Sequence, residues 1–253
     1  MPDWIETELK LLLPDEASYR RVLAALGPGR SVLQQNHFFD RTDGALRAAR
    51  IGVRLRAEDA ERLLTLKGDA LAGPGAPALS RRIELETNLP SATFEDALRD
   101  GLDLRPWLAR FRGESGAEPL PPALARFLAT VEACCGDERL RCYGEFRNFR
   151  TIDSLALHDE LGMIPVELAV DRTELPGNRI DHEIEVELAG NPGDPDELAE
   201  RTARALLRWL ADRGVDPVLP APSKLARFHD ALAGRSRPDG ADSAAESAEG
   251  PAR

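Results

Sequence analysis

The sequence predicts an α+β fold: a largely antiparallel sheet closed into a barrel, with helices packed outside it. Three observations carry that expectation. Segments with the period of a strand alternate charged and mostly apolar residues, as in Ile5-Glu6-Thr7-Glu8-Leu9-Lys10-Leu11. Amphipathic helical segments are interspersed among them without a regular βαβ rhythm. The charged rows hold both signs, a costly surface decoration but a coherent lining for a shared interior. Closure would put helices outside and charges inside, and would leave no sheet edge to protect.

The elements follow in order. After the first strand, Pro14 and Asp15 open an amphipathic helix through Tyr19, Val22, Leu23 and Leu26, and Gly27 stops it. In Ile51-Gly52-Val53-Arg54-Leu55-Arg56, the two arginines alternate with Val53 and Leu55. Lys67 falls in phase with Thr65, opposite Leu64 and Leu66. The Gly/Pro/Ala-rich stretch from Gly68 to Leu79 reads as a flexible connection, since no phosphate-loop Lys-Ser/Thr follows it. Arg82, Glu84 and Glu86 then alternate with Ile83 and Leu85. Helices are expected from about Ser91 to Gly101 and from Pro121-Pro122 to Gly136. Asn148 and Arg150 share a face opposite Phe149; Glu167, Ala169 and Asp171 oppose Val166, Leu168 and Val170. Glu183, Glu185 and Glu187 oppose Ile184, Val186 and Leu188. Asp194-Pro195-Asp196-Glu197 opens a helix that runs to Gly214, with Pro at its first position and acid in its first turn. Ser223 caps a last short helix through Leu225, Phe228 and Leu232. From Gly234 to Arg253 no large apolar residue occurs, so a disordered tail is expected.

The totals narrow the classes. With 253 residues, 42% of them apolar, the chain can build one large core. Its 33 Lys and Arg against 44 Asp and Glu give a net charge of −11, which argues against a nucleic-acid surface. Cys134, Cys135 and Cys142 have no metal-type spacing and are expected as reduced thiols. Without a long apolar run or a signal segment, a cytoplasmic protein with no membrane partner is expected.

Carboxylates at i and i+2 on a strand lie roughly 7 Å apart at the backbone, close enough to flank one or two hard cations. Glu6/Glu8 and Glu183/Glu185 are two such pairs, and Asp171 can add a further oxygen. All-oxygen donor sets suit Mg²⁺ or Mn²⁺. His182 has the opposite parity to Glu183, so a zinc site is not expected. Lys10, Arg54, Arg56, Lys67, Arg82, Arg150 and Lys224 supply the complementary charge, with arginine forks and lysine point charges suited to phosphate oxygens. Linear triphosphate delivered with a divalent metal fits both sets. Ser154 and Ser223 lack an accompanying base for nucleophilic catalysis. His37 reads as a structural turn residue, and Arg147 has the wrong parity for the lumen.

These residues resemble the CYTH superfamily, the triphosphate tunnel metalloenzymes. The E-x-E-x-K strand is matched by Glu6-Thr7-Glu8-Leu9-Lys10. The stretches Q-N-H-F-F-D, A-L-R-A-A-R-I-G-V-R-L-R, L-T-L-K-G, R-I-E, Val170-Asp171, E-I-E-V-E-L and S-K-L-A-R-F follow in family order. The likeness spans about Ile5 to Leu232.

The resemblance implies an eight-stranded antiparallel β-tunnel flanked by helices, occupying residues 1–233 as one domain. It implies hydrolysis of inorganic triphosphate or thiamine triphosphate, or cyclisation of ATP, with Mg²⁺ or Mn²⁺. By the same resemblance, Glu6, Glu8, Asp171, Glu183 and Glu185 look like metal ligands or water-positioning groups. Lys10, Arg54, Arg56, Lys67, Arg82, Arg150 and Lys224 look like triphosphate contacts, with Glu6, Glu8, Lys10, Glu183 and Glu185 forming the catalytic set. Glu84 is expected to face the tunnel, whereas Glu86, Arg147 and Glu187 match no family position firmly. A stand-alone unit, monomeric or homodimeric and with inorganic triphosphate as substrate, is the resulting expectation.

Overall fold

Leu9, Leu11 and Leu13 are buried on one face of the first strand and Glu8 and Lys10 on the other, so both faces of the sheet are covered. A computed structural model describes residues 4–70, 78–114, 119–188 and 195–235. Strands β1 (Ile5–Leu13), β2 (Arg30–Asp40), β3 (Gly52–Glu58), β4 (Glu61–Ala70), β5 (Leu79–Asn88), β6 (Arg141–Asp159), β7 (Gly162–Leu175) and β8 (Arg179–Glu187) form one closed barrel. Its order is β1-β5-β4-β3-β2-β6-β7-β8, and every neighbouring pair is antiparallel. The expected closed tunnel is therefore present. Among the described residues no helix is long and apolar enough to cross a membrane.

The helices are α1 (Glu16–Ala24), α2 (Ala45–Ala48), α3 (Ser91–Asp100), α4 (Arg105–Glu114), α5 (Pro122–Cys135), α6 (Pro195–Ala211) and α7 (Lys224–Leu232). Asp15 caps α1 by accepting from the Ser18 backbone N–H at 2.7 Å, and Ser223 caps α7 by accepting from Ala226 at 3.1 Å. Outward residues of β3–β5, among them Leu55, Leu64 and Leu66, pack with Phe94, Leu108, Leu124 and Leu128 of α3–α5. On the other side, Leu9, Leu11, Val170 and Ile184 pack with Val22 of α1 and with Leu206 and Leu210 of α6. Each such fully buried side chain contributes about 1.5–3 kcal/mol relative to exposure. Helix α7 docks separately, through Phe228 against Phe38, Phe146 and Leu175. Gly144 permits this approach: a Cβ there would lie 2.7 Å from the Phe228 ring.

Three expectations need correction. His37 is a strand residue in β2, its ring edge-on to Phe94 and its Nδ1 2.9 Å from Glu145, because helix α3 covers the outer wall there. Gly68 to Ala70 continue β4 and Leu79 opens β5, so the connection is shorter than expected; residues 71–77 lie outside the described residues. Helices α2 and α4 were not expected. The proposed cap at Asp194 and tail residues 236–253 also lie outside the described residues.

Candidate active site

Inward parity on the eight strands gathers the charged rows around one cavity of about 890 Å³. Glu6, Glu8, Lys10, Arg54, Arg56, Lys67, Arg82, Arg150, Glu185 and Lys224 line it. So do Glu84, expected to face the tunnel, and Glu86 and Glu187, which matched no family position firmly. Arg147 is exposed, as its parity requires. Asp171 and Glu183 are completely buried and lie behind the lining, against Lys224.

Strand register decides which charges meet. Glu6 stands opposite Arg82 across β1 and β5, and the Arg82 Nε donates to Glu6 Oε2 at 2.8 Å while Nη2 reaches Glu8. Lys10 stands opposite Glu185; its Nζ lies 3.0 Å from Glu185 and 2.9 Å from Glu8. Lys67 pairs with Glu84 across β4 and β5 and lies 3.5 Å from Glu6. Arg54 donates to Thr65 at 3.0 Å, directly across β3 and β4. Arg150 forks onto Asp171 at 2.9 and 2.7 Å, again a cross-strand pair, and also contacts Glu185.

These contacts set the protonation states. Burial opposes the charge of Asp171, but Arg150 and Lys224 outweigh it and hold the carboxyl at about 2. Burial likewise opposes Glu84, and Lys67 with Arg54 brings it to about 2. Lys10 is raised despite its burial, because Glu8, Glu185 and Glu183 surround it. Arg54 goes the other way: burial and the neighbouring Arg56 lower it to about 10. Glu187 is raised by burial and by Glu6, Glu84 and Glu8. Asp171 and Glu84 are thus held ionised by the cations that meet them, while Arg54 has Glu86 at 3.7 Å and Glu84 at 3.9 Å but no partner for its buried Nε.

Asp171, Glu183 and Glu185 form a group whose oxygens lie within 4.8 Å of one another. Asp171 and Glu183 are cross-strand partners, and Glu185 follows on the same face of β8. Three carboxylate donors with no nitrogen or sulfur fit a hard divalent cation. Glu6 and Glu8 do not join this group; they lie on β1 and engage Arg82, Lys67 and Lys10.

Gln34, Asn36, Thr173 and Arg227 escaped the sequence reading, whereas Asn148 was placed on the face of Arg150. Gln34, Asn148 and Thr173 form a polar chain, with Asn148 donating to Gln34 Oε1 at 2.9 Å and Thr173 donating to Asn148 Oδ1 at 2.8 Å. Asn36 lines the cavity beside them, buried and with no partner for its Oδ1. The alternation in Gln34-Gln35-Asn36-His37-Phe38 signals them. Arg227, buried against Asp181 and Glu183, carries no such signal, because it reaches strand residues from a helix.

Fold and inner wall together define a β-tunnel protein with a polyionic lumen. The CYTH domain profile matches residues 4–210, and the chain belongs to the CYTH family. Among solved structures, it is similar to the adenylyl cyclase candidate HpAC1 from Hippeastrum, whose structure is described as revealing a dominant triphosphatase activity. Identity is 24%, over 93% of this chain and 99% of that one, with a TM-score of 0.66. An adenylate cyclase candidate from Bacillus halodurans is 22% identical over 90% of this chain and 99% of the other, with a TM-score of 0.58. No curated protein matches the sequence.

Proposed function

We propose that the protein hydrolyses inorganic triphosphate to diphosphate and phosphate, with Mg²⁺ or Mn²⁺. The observation that carries this reading is one barrel whose cavity is lined by inward arginines and lysines beside a carboxylate trio, of which Glu185 reaches the cavity and Asp171 and Glu183 lie directly behind it. The triphosphatase activity named for the Hippeastrum protein accords with it.

In this reading Asp171, Glu183 and Glu185 hold a divalent cation, with Glu6 and Glu8 as further ligands or water-orienting groups. The cation supplies neutralisation of phosphate charge and acidifies bound water. Arg54, Arg56, Lys67 and Arg82, with Lys10, Arg150 and Lys224, bind phosphate oxygens and hold the chain in line. Water attacks the terminal phosphorus, the P–O bond to the bridging oxygen breaks, and diphosphate leaves. Arginine and lysine donors stabilise the charge that develops on the leaving oxygen. Phosphoryl transfer of this kind needs positioning and electrostatics, and no covalent protein intermediate.

The test is incubation of the purified protein with tripolyphosphate, thiamine triphosphate or ATP, each with Mg²⁺ or Mn²⁺. Tripolyphosphate is expected to turn over fastest, and Glu8→Gln to lose most of that turnover while remaining folded. Cyclic AMP as the main product from ATP would overturn the reading, as would near-normal hydrolysis by the Glu8→Gln variant.

A further inference from the structure

Helix α7 reaches the carboxylate trio with two cations that are held in different ways. Lys224 Nζ lies 2.7 Å from Asp171 Oδ2 and 2.9 Å from Glu185 Oε1, and also contacts Glu183 Oε1. One ammonium therefore touches all three carboxylates, at the place a divalent cation would take among the same oxygens. Its stem is flexible, and it lines the cavity, so it has phosphate oxygens within reach as alternative partners.

Arg227, three residues further along the helix, is 2% exposed and takes the other oxygen of the same side chain, Glu183 Oε2. Its Nε lies 2.8 Å from Asp181 Oδ2, and its Nη1 donates to the Pro222 carbonyl at 2.6 Å. A planar, buried guanidinium hydrogen-bonded to Glu183 and Pro222 and ion-paired with Asp181 is held far more firmly than the lysine. Glu183 is thus fixed through Oε2 and offers Oε1 to whatever cation occupies the trio.

We propose that Arg227 is a positioning residue that fixes Glu183 for a divalent cation, and that Lys224 is a stand-in cation that yields its place when that cation arrives. The inference rests on the cation site of the proposed reaction. With Arg150 on Asp171 and Glu185, and Lys10 on Glu185, it accounts for a buried trio of like charges that stays assembled before metal enters. It also moves Lys224 to the substrate at the moment the site is charged with metal.

The experiment is calorimetric titration of Mn²⁺ into the chelator-stripped full chain, with thermal melts to establish that each variant is folded. Lys224→Met removes the competitor, and Mn²⁺ is expected to bind roughly tenfold tighter, a change of about 1.4 kcal/mol. Arg227→Lys keeps the charge and loses the fork, so charge alone predicts no change. Loss of positioning predicts binding weaker by roughly tenfold, the lower end for an outer-shell partner of a metal ligand. Wild-type protein that binds no Mn²⁺, with or without tripolyphosphate, would overturn the metal-dependent reading and this inference together. Wild-type protein that binds Mn²⁺, with Lys224→Met no tighter or folded Arg227→Lys unchanged, would overturn this inference alone. If Arg227→Lys does not fold, the Lys224→Met titration still decides the exchange.

Discussion

Glu84 shows what a single lumen residue does for the fold. It is nearly buried, and burial alone would push its carboxyl up; Lys67 and Arg54 reverse that and hold it at about 2. Because the folded value lies below the unfolded one, its stabilisation is complete above about pH 4.5 and is lost as the pH falls through about 2. A depression of this size corresponds to roughly 3 kcal/mol. Glu84→Gln should therefore lower the melting temperature at pH 7 by about 5–10 °C. It should also flatten the acid limb of a plot of melting temperature against pH. A variant whose acid limb matches the wild type would show that other carboxylates carry that slope. Arg54 is the counter-case. Burial and the neighbouring Arg56 work against its charge, which an arginine keeps at any working pH.

At the scale of elements, the strands carrying the site were legible because their period is two and both faces are informative. A one-residue slip in β1 would turn Glu8 and Lys10 outward and Leu9 and Leu11 into the lumen, so the pattern alone specifies which side faces in. Helices with a cap and a breaker were equally readable, as with Asp15 before α1 and Gly214, at φ +64, after α6. Helix α4 was not, because its first turn carries Arg105 where a helix favours acid, and its capping acceptor is Asp103, two residues earlier. Helix α2 has four residues, too few to show an apolar period, and Asp40 and Asp43 just before it accept from its first backbone N–H groups. Arg227 was hidden for a different reason, since its acidic partners, Asp181 and Glu183, lie over forty residues away. The element that joins it to the site is α7, and α7 is held mainly by Phe228, fully buried against Phe38 and Phe146. Phe228→Ala should cost about 3–5 kcal/mol. Thermal melting should fall by about 10 °C. The KM for tripolyphosphate should rise as well, because Lys224 leaves with its helix. A variant with the lower melting point and an unchanged KM would show that α7 does not serve the substrate.

At the scale of the whole molecule, closure turns eight alternating strands into an inside and an outside with different chemistry. The outside is covered by helices over leucine-rich faces, and the chain as a whole carries −11, so no attraction from net charge draws a polyanion in. Inside, the cations named above already meet carboxylates: Lys10 with Glu8 and Glu185, Arg82 with Glu6 and Glu8, Lys67 with Glu84, Arg150 with Asp171. A triphosphate entering alone must compete with these carboxylates for the same donors and sit beside them as a like charge. A divalent cation on the trio would change both terms there, since it would occupy Asp171, Glu183 and Glu185 and free Arg150, Lys224 and one contact of Lys10 toward phosphate. Metal and substrate should therefore bind with strong mutual dependence. Coupling of about 3 kcal/mol, near the top of the usual range, corresponds to roughly 100-fold. Tripolyphosphate titrated into the protein in the presence of a chelator should bind about 100-fold more weakly than with Mn²⁺. By reciprocity, a non-hydrolysed triphosphate analogue should tighten Mn²⁺ binding by the same factor. Equal tripolyphosphate affinity with and without metal would mean that the inner cations are available unaided, and that the paired lumen does not gate the substrate.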